Sequence, residues 1–204
     1  MSLEVAGRLA NAIAAEGVEA QAVSGESQIA SRFAGEWVAC RGVAARAVAA
    51  RRLYEARTVC DGAIPLGALE RAGPAHEGLA HDWHTAFLAE IGESTNQALA
   101  FVRQRIGIGL VWFWTDDGFK SIAAASPPVL GMTRFQCVYT PPQHRRKGYA
   151  EALVRMATRQ LLADGLRVML IADLSDPSAN GIYQRIGYAA AAEMLLYRFG
   201  PATQ

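Results

Sequence analysis

Residues 138–154 read VYTPPQHRRKGYAEALV, and the order of their properties decides the fold. An apolar run ends at Tyr139 and is stopped by Pro141–Pro142, which cannot donate ladder hydrogen bonds. Arg145, Arg146 and Lys147 follow, and then Gly148 opens a stretch of helical period to about Ala163. Ala150, Leu153, Val154, Ala157 and Leu161 fall on its buried face. A helix start presents N–H groups with no intrahelical partner, and its dipole favours an anion there. Gly148 lets such an anion approach the main chain, and three cations stand beside it. Strand, basic turn and helix in this order suit a pyrophosphate. The RxxGxA spacing alone also fits an ordinary basic turn before a helix.

Upstream, Gly109–Thr115 and Phe119–Ala125 flank Asp117–Gly118, a strong hairpin signal. Arg134–Tyr139 is the next strand. Downstream, Arg167–Ala172 reads as a strand, Ala179–Ile186 as a short helix ended by Gly187, and Glu193–Phe199 as a last strand. Helices are expected over 79–91 and from Ser94 or Thr95 to about Arg105. Residues 61–77, DGAIPLGALERAGPAHE, read as a connector. Before it come helices over 3–16 and 27–40, a strand over Val18–Val23, and an ambiguous segment 43–59. This alternation implies a mixed α/β sheet. The expected organisation is a partial α/β segment 1–60, a connector 61–77 and a main domain 78–204.

The chain has 204 residues, 51% hydrophobic and 19% charged, with formal net charge +1. That balance supports a real core and gives no general attraction to nucleic acid or an acidic membrane. Cys40, Cys60 and Cys137 show neither disulfide nor zinc spacing, so buried free thiols are expected. No segment approaches the ~20 apolar residues of a membrane span, and the amino terminus lacks a signal-peptide core. A soluble cytoplasmic protein follows as the expectation.

The stretch 138–154 resembles the cofactor loop of the GNAT superfamily of acyl-CoA-dependent N-acetyltransferases, with Arg145, Gly148 and Ala150 at the family's loop positions. A second stretch, LIADLSDPSANGIYQRIGY over 170–188, resembles the family's segment after its fifth strand through Asn180, Tyr183, Gly187 and Tyr188. The final EMLLYRF, 193–199, also fits. The resemblance covers roughly 79–199. It implies the GNAT fold, a mixed and mostly antiparallel sheet flanked by helices, with acetyl-CoA as the acetyl donor, no metal, and a small-molecule amine or protein amino group as acceptor. It further implies that the family's fourth and fifth strands splay apart around pantetheine. Val138 and Thr140, with Tyr139 between them, would then meet the pantetheine amides. The amides of Arg146, Lys147, Gly148, Tyr149 and Ala150 would hold the pyrophosphate. Arg145 would add a side-chain contact, and Asn180 would bind pantetheine or its water.

The amine attacks the thioester and a thiolate leaves. A thiol pKa near ~8.5 and a tyrosine near ~10 make Tyr183 a workable proton donor. Its other reading is a core aromatic. The Val138 N–H would stabilise the oxyanion. The base is not readable, although Glu90, Asp173 and Glu193 can relay a proton. His81 and His84 sit at i, i+3 without a third ligand, so packing is favoured. Trp112 and Trp114 share one strand face and suit either an acceptor pocket or the core.

Residues 1–60 hold no second loop of this kind. They resemble the tail of a degenerate acetyltransferase half, whose exposed strand edges call for cover from the main domain or from another subunit, as in a homodimer. A non-catalytic module that binds acyl-CoA or a protein stands as the alternative. One departure bears on it: Arg146 stands where relatives often carry glycine.

Overall fold

The structure is a computed structural model that describes residues 1–201, so the last three residues of the expected main domain lie outside the described ones. In chain order the elements are α1 (Leu3–Ala15), β1 (Ala22–Glu26), α2 (Ser27–Arg41), β2 (Val43–Ala56), β3 (Ala68–Arg71), α3 (Glu77–Glu90) and α4 (Ala98–Gly107). They continue as β4 (Val111–Thr115), β5 (Phe119–Ala125), β6 (Met132–Tyr139), α5 (Tyr149–Ala163), β7 (Arg167–Asp173), α6 (Pro177–Ile186) and β8 (Tyr188–Pro201). The strands make one eight-stranded sheet in the order β1-β8-β2-β7-β6-β5-β4-β3. Among the described ladders only β6–β7 is parallel, which gives the mixed, mostly antiparallel sheet expected.

The chain divides into two compact units. The first takes residues 1–53, 172–180 and the carboxy-terminal stretch from Ala190. Ser2 caps α1 by accepting from the Val5 N–H at 3.3 Å. Gly42, at φ +63°, ends α2 in the left-handed conformation that glycine tolerates. The core joins Ala10 of α1 to Phe33 and Trp37 of α2, with Val23, Val43 and Phe199 packed on them. Trp37 lies 5.9 Å from Phe33 and 5.8 Å from Phe199 between ring centres. Removing so buried an indole costs about 3–5 kcal/mol.

The second unit takes residues 54–171 and 181–189. One sheet face, carrying Val111, Phe113, Ile122, Ala124, Cys137 and Tyr139, packs on Val102 and Ile106 of α4 and on Leu79, Trp83 and Phe87 of α3. The opposite face meets α5, where the Trp112 indole N–H donates to Gln160 Oε1 at 3.0 Å. α5 buries Leu153, Val154, Ala157 and Leu161 of the expected stripe together with Ala152, while Ala150, also expected on that face, is only half-buried. Asp117 and Gly118 both have positive φ, as the hairpin between β4 and β5 requires.

Several features depart from the sequence reading: β1 spans Ala22–Glu26 in place of the expected Val18–Val23, and β8 starts at Tyr188, ahead of the expected Glu193. Ala68–Arg71, inside the expected connector, is a strand paired with β4 from Ala68↔Thr115 to Arg71↔Trp112. Its residues favour helix, and pairing overrides that preference. Gly67 permits the close approach, since a Cβ there would lie 2.2 Å from the Thr115 carbonyl oxygen. The expectation of three buried thiols holds for Cys137 alone, because Cys40 and Cys60 are exposed. Cys40, one residue before the end of α2, donates to Asn11 Oδ1 of α1 at 2.7 Å. No helix among the described residues is long and apolar enough to cross a membrane.

Candidate active site

The site begins at an irregularity in β6. Ile122, Ala123 and Ala124 of β5 pair with Tyr139, Val138 and Cys137, but Ala125 pairs with Phe135. Gln136 is therefore an extra residue, a β-bulge that bends its strand and turns its neighbours. On the other edge, the parallel ladder to β7 runs from Met132↔Arg167 to Phe135↔Leu170 and ends there. Beyond it, Gln136–Tyr139 have β5 as their only ladder partner among the described residues.

The direction of the unpaired groups follows from one side chain. Ser121 of β5 donates its hydroxyl to the Tyr139 carbonyl at 2.9 Å, so that carbonyl faces β5. Main-chain groups of successive strand residues point to alternate edges. The N–H and C=O of Val138 therefore face away from β5, toward the edge that the β6–β7 ladder has left.

Past Tyr139, Pro141 ends the strand and Pro142–His144 form a single 3-10 turn. Arg146 then takes φ +61°, and Gly148, the N-cap of α5, takes φ +85°. No side chain caps this helix. Among the described residues, the N–H groups of Arg146 to Ala150 have no backbone partner outside the helix. Left-handed residues alternating with right-handed ones turn successive N–H groups into one concavity, an anion nest. The setting is electropositive. The His144 imidazole is held below its ordinary pKa by burial and by the charges of Lys120 and Lys147.

The side chains of the loop point elsewhere. Arg145 donates through Nε to the Thr140 carbonyl at 2.8 Å and through Nη2 to both oxygens of Glu90 at 2.6 and 2.8 Å. The Tyr149 hydroxyl donates to Asp116 Oδ2 at 2.7 Å, and that carboxylate raises its pKa. What Tyr149 offers the nest is its N–H.

α6 carries Tyr183 and Asn180. Tyr183 is half-buried between Tyr54, at 6.3 Å, and Tyr188, which meets it edge-on at 6.1 Å. Tyr188 is buried, shares a 2.7 Å hydrogen bond with Thr158 Oγ1, and has its pKa raised by that burial. Asn180 Nδ2 donates to the carbonyls of Asp173, at 2.7 Å, and Asp176, at 2.6 Å, which fixes the start of the helix. The end is fixed at Gly187, where a Cβ would lie 2.9 Å from the Thr58 carbonyl and φ is +112°. Arg185 ties α6 to Glu151 of α5 at 2.7 Å, and Glu151 also receives the buried Arg155 at 2.7 Å.

The remaining candidates resolve into structural contacts. Glu90 is engaged by Arg145, Glu193 by Arg52 at 2.9 Å, and Asp173 accepts from the Ser175 hydroxyl and N–H, which lower its pKa. His84 is buried and stacks on Phe101 at 4.1 Å, while His81 lies beside Asp82 and Thr85. Trp112 and Trp114 are core residues, almost fully buried, with their N–H groups bonded to Gln160 and the Leu66 carbonyl. Among the described residues no cluster of three His, Cys, Asp or Glu is gathered. The sequence reading passed over Gln136, Glu151 and Arg105. Of these only Glu151 left a signal, its i, i+4 spacing to Arg155.

The fold is that of known acetyltransferases. A GNAT-family acetyltransferase from Colwellia psychrerythraea superposes with TM-score 0.66 at 12% identity, covering 96% of this chain and 72% of that one. A GCN5-related N-acetyltransferase from Sphaerobacter thermophilus gives 0.68 at 16%, covering 87% and 59%. One from Kribbella flavida gives 0.65 at 20%, covering 95% and 72%. The chain thus has the GNAT acetyltransferase fold. Within it, residues 125–196, from the end of β5 into β8, match the FR47-like protein family. Comparison with curated proteins gives no match.

Proposed function

We propose that the chain is an N-acetyltransferase that moves the acetyl group of acetyl-CoA to the primary amine of a small molecule or protein. One observation carries the reading: the unpaired edge of β6 at Val138 leads directly into the uncapped start of α5 at Gly148. An amide-bearing arm ending in a diphosphate matches that sequence of groups. The amides of pantetheine would pair with Val138 and Thr140 as a further strand does. The diphosphate would sit on the N–H groups of Arg146 to Ala150.

The acceptor amine, once deprotonated, attacks the thioester carbon. A C–N bond forms and the carbonyl oxygen takes the negative charge, toward which the Val138 N–H points. Collapse breaks the C–S bond, and the departing thiolate takes the proton of the Tyr183 hydroxyl. The nitrogen gives up its extra proton, through solvent, to the Tyr183 oxygen, leaving a neutral amide, a free thiol and the regenerated hydroxyl. Holding the two reactants in line supplies much of the remaining acceleration.

Calorimetry with CoA and thiol release from acetyl-CoA against an amine panel test this reading. Tyr183→Phe is expected to lower kcat about 10²-fold while leaving CoA affinity unchanged. Unchanged turnover in that variant removes the assigned acid. Binding without turnover of any amine would mark a non-catalytic acyl-CoA module instead.

A further inference from the structure

Arg105 belongs to the second unit. It lies near the end of α4, and its guanidinium sits 4.3 Å over the Phe101 ring. The His84 imidazole lies 4.1 Å from the same ring and nearly parallel to it. Two groups that close cannot share one face, so Phe101 is sandwiched between them. Arg105 Nη2 donates to Gln136 Oε1 at 2.9 Å, and Nη1 donates to Gln104 Oε1. Both acceptors are neutral. Nε is buried without a hydrogen-bond partner, as is His84 Nδ1. Among the described residues no carboxylate forms an ion pair with Arg105. Arg103, two residues earlier and more exposed, has Glu77 at 2.9 Å. Burial lowers the pKa of the Arg105 guanidinium. His84 adds no charge near neutrality, because burial, with Arg105 and His81, pushes its pKa down to about 4.

A half-buried arginine held rigidly by an aromatic stack and bonded only to amides is prepared for an anion. Its partner Gln136 is the bulge residue, two positions before Val138, a span of roughly 7 Å along the strand. We propose that Arg105 is the seat for a carboxylate on the acceptor, so that the preferred amines are small amino acids. The inference rests on the acetyltransferase reading. The carboxylate replaces the amide oxygens on the two Nη groups, while the amine reaches the acyl carbon beside Val138.

The test uses matched acceptors: glycine, β-alanine, 4-aminobutyrate and 6-aminohexanoate, each against its carboxamide. The amide lowers the pKa of a nearby amine, so intrinsic reactivity works against the acid. In the native chain at least one acid is expected to exceed its amide at least tenfold in kcat/KM. Arg105→Gln should collapse that ratio to within twofold, with the acid losing far more of its rate than the amide, and Arg105→Lys should retain part of it. A native ratio near one, or an equal loss for acid and amide in Arg105→Gln, overturns the proposal. Should Arg105→Gln fail to fold, inhibition of the native chain decides: 4-acetamidobutyrate must compete at least tenfold better than its amide. If CoA binds but no amine of either series is acetylated, the catalytic reading fails by itself. Calorimetry with 4-acetamidobutyrate then decides the seat, upheld by native binding that Arg105→Gln or Arg105→Lys weakens and overturned by none.

Discussion

Both carboxylate oxygens of Glu90 close on Arg145 Nη2, at 2.6 and 2.8 Å, at the edge of the proposed diphosphate site. The side chains are 46% and 43% exposed, so the pair contributes at most about 1 kcal/mol. A diphosphate carries more charge than one carboxylate and can take Arg145 over. Glu90→Gln is therefore expected to tighten CoA binding about two- to fivefold in low salt, with the gain fading at high salt. Arg145→Ala should weaken binding about tenfold, the scale of one charge-assisted hydrogen bond. Calorimetry at two salt concentrations reads both. Weaker binding in Glu90→Gln would instead make Glu90 a support that aims Arg145.

Arg146 occupies φ +61°, a region that costs a side-chain-bearing residue roughly 1–2 kcal/mol. Glycine relieves that strain but gives back about 0.5–1 kcal/mol of chain entropy. Arg146→Gly should raise Tm by about 2 °C, and Arg146→Ala, which keeps the strain, should not. CoA affinity should change only modestly in either variant, because the proposal uses the Arg146 N–H and not its guanidinium. A large loss in both would show that the side chain itself holds phosphate.

How much of this was legible in the sequence depends on whether the deciding force was local. The start of α5 was legible because Gly148, the prolines and the buried stripe are all local signals. So was the β4–β5 hairpin at Asp117–Gly118. β3 was not, because Ala68–Arg71 prefers helix and becomes strand only by pairing with β4. β8 begins at Tyr188, five residues before the expected strand, through an alanine run with no strand preference of its own. The bulge at Gln136 is set by ladders to two partners and leaves no mark in β6 alone. Partners across the chain, such as Glu90 for Arg145, are tertiary facts that no spacing rule contains.

His84 predicts an acid weakness in the fold. Its folded pKa, pushed down to about 4 chiefly by burial, lies below its ordinary 6.5. The unfolded chain thus takes up a proton below 6.5 that the folded chain refuses until about 4. Stability from this group is complete above pH 6.5, declines between 6.5 and 4, and stays reduced below. Denaturant unfolding across that window should show the decline, and His84→Phe should flatten it. An equally steep decline in the variant would assign the effect to other groups.

Glu151 links the helix of the nest to the helix of Tyr183, and its removal should separate stability from chemistry. Burial alone would raise its pKa, but hydrogen bonds from Arg185 and Arg155 hold it below the ordinary value of 4.5. A depressed folded pKa contributes stability that is present above about 4.5 and lost as pH falls through the folded value. Arg155 is 1% exposed, and without Glu151 it keeps the Cys60 carbonyl as its one polar contact among the described residues. Glu151→Gln should cost about 3 kcal/mol at neutral pH, since one partner of a buried pair is lost. The difference from the native chain should shrink as pH drops below 4.5, where the native carboxyl also protonates. Because Arg185 no longer fixes α6, kcat should fall more than CoA affinity, and Glu151→Asp should restore part of both stability and rate. Equal fractional losses in kcat and CoA binding, with no partial rescue by aspartate, would reduce Glu151 to a general stabiliser of α5.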